Sequence, residues 1–320
     1  MKLNWDVLIP AYNASEHLQA AISSVVDQSH QPLQVVVCDD ASQDTTAAVA
    51  AAQPSVTLVQ NAVNYGVGET RQVLLTLANA EWVLYLDADD QLLPGAAGIF
   101  AAAVAARPDA VVHAFAEVAP ENVSYQVPGP PAEPARVSHR DLLWGNPICS
   151  SATLIRRDAA LAVGGFTKAR RLIDYCIWFR IARVFPTGII LHKEPVVRRL
   201  ISVSTITGNV NAAVIEEARL LSREWWFTYG SKNPLSEFKR QLRLTTLWLR
   251  GLSRHVDYGK PASEYVEPKQ LSGYWRAFQL LGCLKTRFGL YFYAGLRRAA
   301  ALGAQRFKMS SSLPSRESSA

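Results

Sequence analysis

Along the first hundred residues, apolar and polar positions fall into alternating blocks of two kinds. The runs Asp6-Val7-Leu8-Ile9, Gln34-Val35-Val36-Val37-Cys38, Val56-Thr57-Leu58-Val59 and Trp82-Val83-Leu84-Tyr85-Leu86 are short, mostly apolar and rich in β-branched residues, as buried strands are. Between them the spacing turns helical: Leu18, Ile22, Val25 and Val26 share one face, residues 45–52 are rich in alanine, and 68–79 repeat at helical intervals. Pro10 predicts the end of the first strand. Asn13 with Glu16 three residues on predicts a capping box, and Asp44 predicts the cap of the alanine-rich helix. Repeated β-α-β spacing predicts an α/β domain with a mostly parallel sheet, flanking helices and right-handed crossovers.

Residues 119–137 are rich in proline, glycine and glutamate and predict an irregular loop. Strand and helix signals resume at about 146–206. From about 210 the period is helical, through Trp225-Trp226-Phe227, Leu242 and Leu247-Trp248-Leu249, to a last helix near 274–304. The predicted division is a catalytic domain over 1–208, with a nucleotide-binding half of about 1–100 and an acceptor half of about 101–208. A basic helical region over 209–308 and a serine-rich, disordered tail over 309–320 follow.

Composition adds two restrictions. With 49% hydrophobic and 19% charged residues the chain is that of a globular protein. Its four cysteines (Cys38, Cys149, Cys176, Cys283) have no paired spacing, which argues against a disulfide framework or a zinc site and suits a reducing compartment. No leader pattern and no uncharged apolar run of roughly 18 residues is visible, so a cytoplasmic location is expected. The net charge of +6 is uneven: residues 1–220 hold 16 basic and 21 acidic side chains, residues 221–308 hold 16 and 5. The basic part interleaves Trp275, Arg276, Lys285, Arg287, Phe288, Tyr291, Phe292, Arg297, Arg298, Arg306 and Phe307. That pattern suits either a helix lying on an anionic membrane surface or a helical cap with solvated cations. Nucleic-acid binding is not expected, because no recognised module accompanies the charge.

The candidate chemistry begins at Asp87-Ala88-Asp89-Asp90, directly after the fourth strand. Open α/β sheets bind ligands at the carboxyl ends of their strands. Carboxylates this close repel unless a cation joins them, and Mg²⁺ or Mn²⁺ so held commonly carries a phosphate. The alternative is an acidic loop in water. An EF-hand is excluded, because the sixth and twelfth positions from Asp87 are Leu92 and Gly98.

Together with other pieces in order, this cluster resembles family 2 of the glycosyltransferases, nucleotide-sugar enzymes of the GT-A fold. The pieces are Ile9-Pro10-Ala11-Tyr12-Asn13, Ser23 to Ser29, Val37-Cys38-Asp39-Asp40-Ala41-Ser42-Gln43-Asp44-Thr45, Asn64-Tyr65-Gly66-Val67-Gly68 with Arg71, Gly145-Asn146-Pro147-Ile148, Gly164-Gly165-Phe166 and Asp174-Tyr175-Cys176-Ile177-Trp178-Phe179-Arg180. The resemblance spans about residues 5–205. It implies that Pro10, Tyr12, Asp40, Asn64, Gly66, Arg71 and Asp87 bind the nucleotide of a nucleotide-diphosphate sugar, most naturally a UDP-sugar. It further implies that Asp87 and Asp89 hold Mg²⁺ or Mn²⁺, and that Asp174 is the general base of an inverting transfer. Plainer roles stand beside these: Pro10 as a strand stop, Asp40 as a helix cap, Arg71 as a surface arginine, Asp174 as a carboxylate favoured by a helix start. Ser42 and Asp44 read as turn and cap.

Two departures from the family pattern stand out. Ile173 occupies the place of the usual glutamate before Asp174. The usual histidine after the next strand is absent from Arg198-Arg199-Leu200-Ile201-Ser202-Val203-Ser204, so Arg198 or Arg199 is the candidate contact for the diphosphate. No Gln-x-x-Arg-Trp of processive synthases is found, so transfer of a single sugar is expected. Trp144 is a candidate acceptor contact, or an ordinary core aromatic. The function implied is addition of a sugar to a saccharide or lipid-linked acceptor during surface polysaccharide or glycolipid synthesis. A location on the inner face of the cell membrane goes with it. The alternative is a catalytically impaired sugar-nucleotide-binding or scaffold protein of the same fold. A sugar-phosphate nucleotidyltransferase fits poorly, because its glycine-rich amino-terminal loop is absent.

Overall fold

The computed structural model describes residues 3–118, 133–166, 172–199 and 210–229, with Arg240, Arg243, Leu244 and Leu247. The chain divides into two units, one of residues 1–208 with 224–228 and one of 209–223 with 229–320. The expected last helix, the aromatic–basic segment from Trp275 and the tail lie outside the described residues.

Strand and helix alternate through β1 (Trp5–Ala11), α1 (Leu18–Val26), β2 (Val35–Asp39), α2 (Thr46–Ala51), β3 (Val56–Gln60), α3 (Val67–Leu77) and β4 (Trp82–Tyr85). Then follow β5 (Gln91–Leu92), α4 (Ala96–Ala106), β6 (Val112–Val118), β7 (Ala135–Arg136), α5 (His139–Leu142), a 3₁₀ turn (Ser150–Ala152) and β8 (Thr153–Arg156). The series ends with α6 (Arg157–Ala162), α7 (Ile173–Val184), β9 (Ile189–Arg198) and α8 (Val210–Tyr229). One sheet has the order β3-β2-β1-β4-β8-β6-β9-β5, with β7 also on β9. The first four strands are parallel. Beyond β4 the sheet is mixed: β8 runs antiparallel to both neighbours, β6 and β9 are parallel, and β5 and β7 are antiparallel to β9. The parallel prediction therefore describes only the nucleotide half.

This order positions the site. From β1 the chain winds outward through β2 and β3, then returns to place β4 on the other side of β1. The carboxyl ends of β1 and β4 thus lie side by side where the strand order reverses, the place at which open α/β sheets bind their ligands. Apolar burial holds the frame: Leu18, Ala21, Ile22 and Val25 of α1 are buried, and Trp5, Phe100 and Phe115 meet at centroid distances of 5.7 and 5.0 Å. Full burial of such a side chain is worth about 1.5–3 kcal/mol. Two polar pins set the geometry. Buried Asp6 accepts from the backbone N–H of Asn79 and Ala80 and from Gln34 Nε2, tying β1 to the turn before β4. Gln28 donates to the carbonyls of Ser24 and Leu93 and accepts from Ala97 N–H, stapling α1 to the start of α4.

Four local expectations are corrected. β1 runs through Pro10 to Ala11. The Pro10 nitrogen faces the β4 side, where pairing has already ended at Leu8–Tyr85, so no ladder bond is lost. Asn13 does not cap α1: its backbone is left-handed (φ 49°), its Oδ1 accepts from Gln43 N–H, and α1 begins at Leu18 after His17. Asp44 stands one residue before the cap position of α2, accepting from Thr46 N–H at 2.9 Å and Ser15 N–H at 3.2 Å. Within the expected loop, residues 135–136 form β7 because they meet the free edge of β9.

Candidate active site

The residues expected at the nucleotide lie at three strand ends. At the end of β1, Tyr12 is exposed. Just past β2, buried Asp40 accepts from Asn61 Nδ2 (2.7 Å), Tyr65 N–H (3.0 Å) and Gly66 N–H (2.7 Å). A carboxylate offers about four acceptor sites, so one remains for a ligand donor. Asp40 thereby shapes the loop carrying half-buried Asn64. Gly66 allows the approach because its φ of 88° suits glycine.

At the end of β4, Asp90 N–H closes a turn on the Asp87 carbonyl at 3.0 Å, gathering Asp87, Asp89 and Asp90. Ser151 Oγ accepts from Asp87 N–H at 3.1 Å. Burial, then the charge of Asp87, raise the Asp89 carboxyl above the usual range and push Asp90 up to about 7. Arg199 opposes this, its Nε 3.9 Å from Asp90 and its Nη1 3.4 Å from both oxygens of Glu117. Burial disfavours the Arg199 charge, but Cys149, Glu117, Asp90 and Asp87 hold its pKa above the ordinary value. Its neighbour Arg198, the last residue of β9, is exposed. Alternation along the strand separates the two arginines, and Arg199 is the one among the acids.

Arg71 lies deeper than a base-lining arginine would. It is buried on α3, and its Nη2 donates to Asp87 Oδ1 at 2.5 Å. Its guanidinium carbon is 5.9 Å from the Tyr85 ring centroid and 5.8 Å from that of Phe166. Tyr85 Oη donates to the Arg71 carbonyl at 3.2 Å. Phe166 is placed by its N–H, which donates to Gln72 Oε1 at 2.7 Å. A Cβ on Gly165 (φ 62°) would collide with that side-chain amide. Asp174 stands in the first turn of α7, which starts from left-handed Leu172 (φ 52°). Asn146 Nδ2 donates to Asp174 Oδ2 at 3.4 Å. Burial raises the Asp174 carboxyl above its ordinary value, and the Arg71 charge is the main influence restraining it. A single guanidinium thus acts on both carboxylates, paired with Asp87 and coupled through its charge to Asp174.

The fold therefore gathers Asp87, Asp89, Asp90, Arg199 and Arg71, with Asp174 coupled to them, beyond the carboxyl end of β4, and Tyr12, Asp40, Asn64 and Gly66 beyond those of β1 and β2. Trp144, 47% exposed, stands two residues before Asn146. Glu117, Ser151, Asn146, Asn61 and Phe166 are additional. Asn146 and Phe166 lie within motif pieces visible in the sequence. Glu117 and Asn61 follow from strand ends, but nothing local marks Ser151.

Among the described residues, no group of three or more His, Cys, Asp or Glu side chains is arranged to hold a metal ion by itself. The donors present nevertheless fit Mg²⁺ or Mn²⁺: they are all oxygens, and the mutual repulsion evident at Asp89 and Asp90 is what a cation relieves. Asp87 and Asp89 would hold it, with the remaining positions left to phosphate and water.

Comparison with known proteins settles the class. Residues 6–164 match the model for glycosyl transferase family 2. The chain belongs to that family. It is 27% identical over 174 residues to an uncharacterized glycosyltransferase of Haemophilus influenzae, covering 53% of this chain and 58% of that protein. It is 31% identical over 86 residues to the Escherichia coli UDP-Glc:alpha-D-GlcNAc-diphosphoundecaprenol beta-1,3-glucosyltransferase WfgD, covering 26% and 34%. The chain thus spans about half and one third of these relatives' lengths. The mannosyltransferase PcManGT of Pyrobaculum calidifontis, solved with GDP-Man and Mn²⁺, superposes with a TM-score of 0.55 at 19% identity, covering 94% of this chain and 87% of that one. The fold is that of the GT-A glycosyltransferases. No helix among the described residues is long and apolar enough to cross a membrane.

Proposed function

We propose that this family member is an inverting glycosyltransferase. It moves one sugar from a nucleotide-diphosphate sugar to an acceptor hydroxyl in surface polysaccharide or glycolipid synthesis. The observation that carries the reading is Arg71, which pairs with Asp87, read as the donor-side carboxylate, and is coupled through its charge to Asp174, read as the base. A UDP-sugar is the favoured donor. Asp40 retains an acceptor site for the uracil N–H, with Tyr12 beside it, and WfgD is named for UDP-Glc. The acceptor is a saccharide or a lipid-linked saccharide.

The acceptor oxygen attacks the anomeric carbon from the face opposite the diphosphate. As that bond forms, the bond from carbon to diphosphate oxygen breaks, and the acceptor proton passes to a carboxylate oxygen of Asp174. Arg71 favours the ionised form of Asp174 against the effect of burial, and Asn146 donates a hydrogen bond to it. Arg199 faces the charge that grows on the departing diphosphate, the place of the missing histidine. A divalent ion at Asp87 and Asp89 would add Lewis-acid stabilisation of the same oxygens. Metal use is supported by the donor set and by the Mn²⁺ in PcManGT. The excess of basic residues over 221–308 supports a cytoplasmic protein held at the inner face of the membrane.

The test pairs a screen of nucleotide sugars, with and without Mn²⁺ or Mg²⁺, with Asp174→Asn. Loss of the base should lower turnover by about 10²–10⁴-fold and leave the Kd for the nucleotide diphosphate nearly unchanged. A wild type that binds no nucleotide diphosphate in calorimetry refutes the proposal. One that binds but never transfers or hydrolyses a donor favours the scaffold reading, which Ile173 and the absent histidine motivate.

A further inference from the structure

Residues beyond the family match also reach the acceptor side. Helix α5 opens with a capping box, Ser138 N–H donating to Asp141 Oδ2 at 2.8 Å. It closes with Trp144 N–H on the Asp141 carbonyl and Gly145 N–H on the Leu142 carbonyl. The chain then reaches Asn146, the hydrogen-bond partner of Asp174. Two grips hold α5. On one side Tyr175, next to Asp174, donates its hydroxyl to the Leu142 carbonyl. On the other are residues 224–228 of α8, which belong to the same unit.

There Glu224, 1% exposed, accepts from Arg183 Nη2 of α7, and its Oε2 lies 3.1 Å from His139 Nε2. Thr228 Oγ1 is 3.0 Å from His139 Nδ1, and the Arg183 guanidinium sits 3.8 Å from the centroid of the Phe227 ring. A buried carboxylate demands such partners, and these tie this part of α8 to α5 and α7. Glu224 thereby fixes Trp225, also buried, whose ring meets Trp144 nearly at right angles (77°) at 5.7 Å. The two rings pack edge to face, the geometry favoured by the ring quadrupole, and Trp144 stays about half exposed. An exposed aromatic residue two positions from the partner of Asp174 suits a pyranose, whose weakly positive C–H groups match the negative face of an indole ring.

We propose that Trp144 is the stacking platform for the acceptor saccharide and that Trp225 and Glu224 are positioning residues acting through it. This rests on the glycosyltransferase reading for the identity of the ligand. The probe is N-acetylglucosamine-α-diphosphate carrying an octyl chain, an acceptor of the chemistry named for WfgD. Its binding is measured by calorimetry on the full chain with UDP present, and its KM by transfer assays. Trp225→Ala should raise the Kd and KM for the probe about tenfold, the loss of one well-made aromatic contact, with the donor KM within about twofold of wild type. Trp225→Phe should restore most of the affinity, since an edge-on ring remains. Trp144→Ala combined with Trp225→Ala should bind no worse than Trp144→Ala alone, because Trp225 acts only through Trp144. Glu224→Gln should weaken the probe in the same direction.

An unchanged probe Kd in Trp225→Ala, additive losses in the double variant, or an equal rise in donor and acceptor KM would overturn the proposal in favour of simple packing. So would a wild type that does not bind the probe. A wild type that binds the probe through Trp144 but transfers nothing refutes the proposed activity and leaves this subsite standing.

Discussion

Replacing Arg71 with methionine removes one charge while keeping an unbranched stem between the Tyr85 and Phe166 rings. The pair it breaks is short, Nη2 to Oδ1 at 2.5 Å, with side-chain exposures of 6% for Arg71 and 36% for Asp87. Stripping one partner from a fully buried pair costs about 3–5 kcal/mol. Asp87 can rehydrate through its exposed third, which brings the expected loss to about 2–3 kcal/mol. For a unit of roughly 200 residues that corresponds to a fall of about 5–10 °C in Tm. The second consequence is electrostatic. Burial raises the Asp174 carboxyl and Arg71 chiefly restrains it, so in Arg71→Met the Asp174 pKa rises further. A base must be ionised to act, so the acid limb of the kcat profile should move to higher pH. At a pH below the limb, a tenfold weaker acid at Asp174 means about tenfold slower turnover. Arg71→Lys, which keeps the charge, should move the limb less. The assay is urea denaturation at neutral pH together with kcat measured from about pH 5 to about pH 9, the range that brackets such a limb. A loss of stability under about 0.5 kcal/mol, the level of an ordinary surface substitution, would refute the role of the pair. An unmoved acid limb would refute the coupling to Asp174.

Asp40→Ala leaves Tyr65 N–H and Gly66 N–H without their acceptor and Asn61 Nδ2 with only Thr70 Oγ1, and should cost about 1–3 kcal/mol of stability while weakening UDP binding by calorimetry. Unchanged UDP affinity would show that the 61–66 loop does not reach the donor. His113 is fully buried with its Nδ1 3.0 Å from His192 Nε2, and burial first, then His192, push its pKa down to about 4. The unfolded chain, with an ordinary histidine near 6.5, therefore binds more protons between those values, so stability rises with pH across that window and is lost as pH falls through it. The lost part is about 3 kcal/mol, and His113→Gln should flatten the slope of unfolding free energy between about pH 4 and 6.5. An equally steep slope in the variant would exclude His113 as its source.

The apolar runs at Val35–Asp39 and Trp82–Tyr85 and the helical period of Val67–Leu77 are legible in the chain itself. Each element buries what lies on its own face, and local spacing suffices. The ordered motif pieces likewise carry the family and the crevice at the strand ends. The ends of elements are not local. Asn13 turns its side chain to Gln43, thirty residues on, instead of capping α1, and β1 passes Pro10 because pairing with β4 has stopped. Nor is the choice between Arg198 and Arg199 local: adjacent strand residues point opposite ways, and only the pairing of β9 with β6 and β5 decides which one meets Glu117 and Asp90. Arg71 shows the limit most clearly. Its place on α3 follows from the sequence, but its partner Asp87 arrives only when β4 docks beside β1, and its second neighbour Asp174 only when α7 closes over the sheet. Charges are given by residue type. Their distances, and with them the desolvation and coupling that set their chemistry, exist only once the chain has folded.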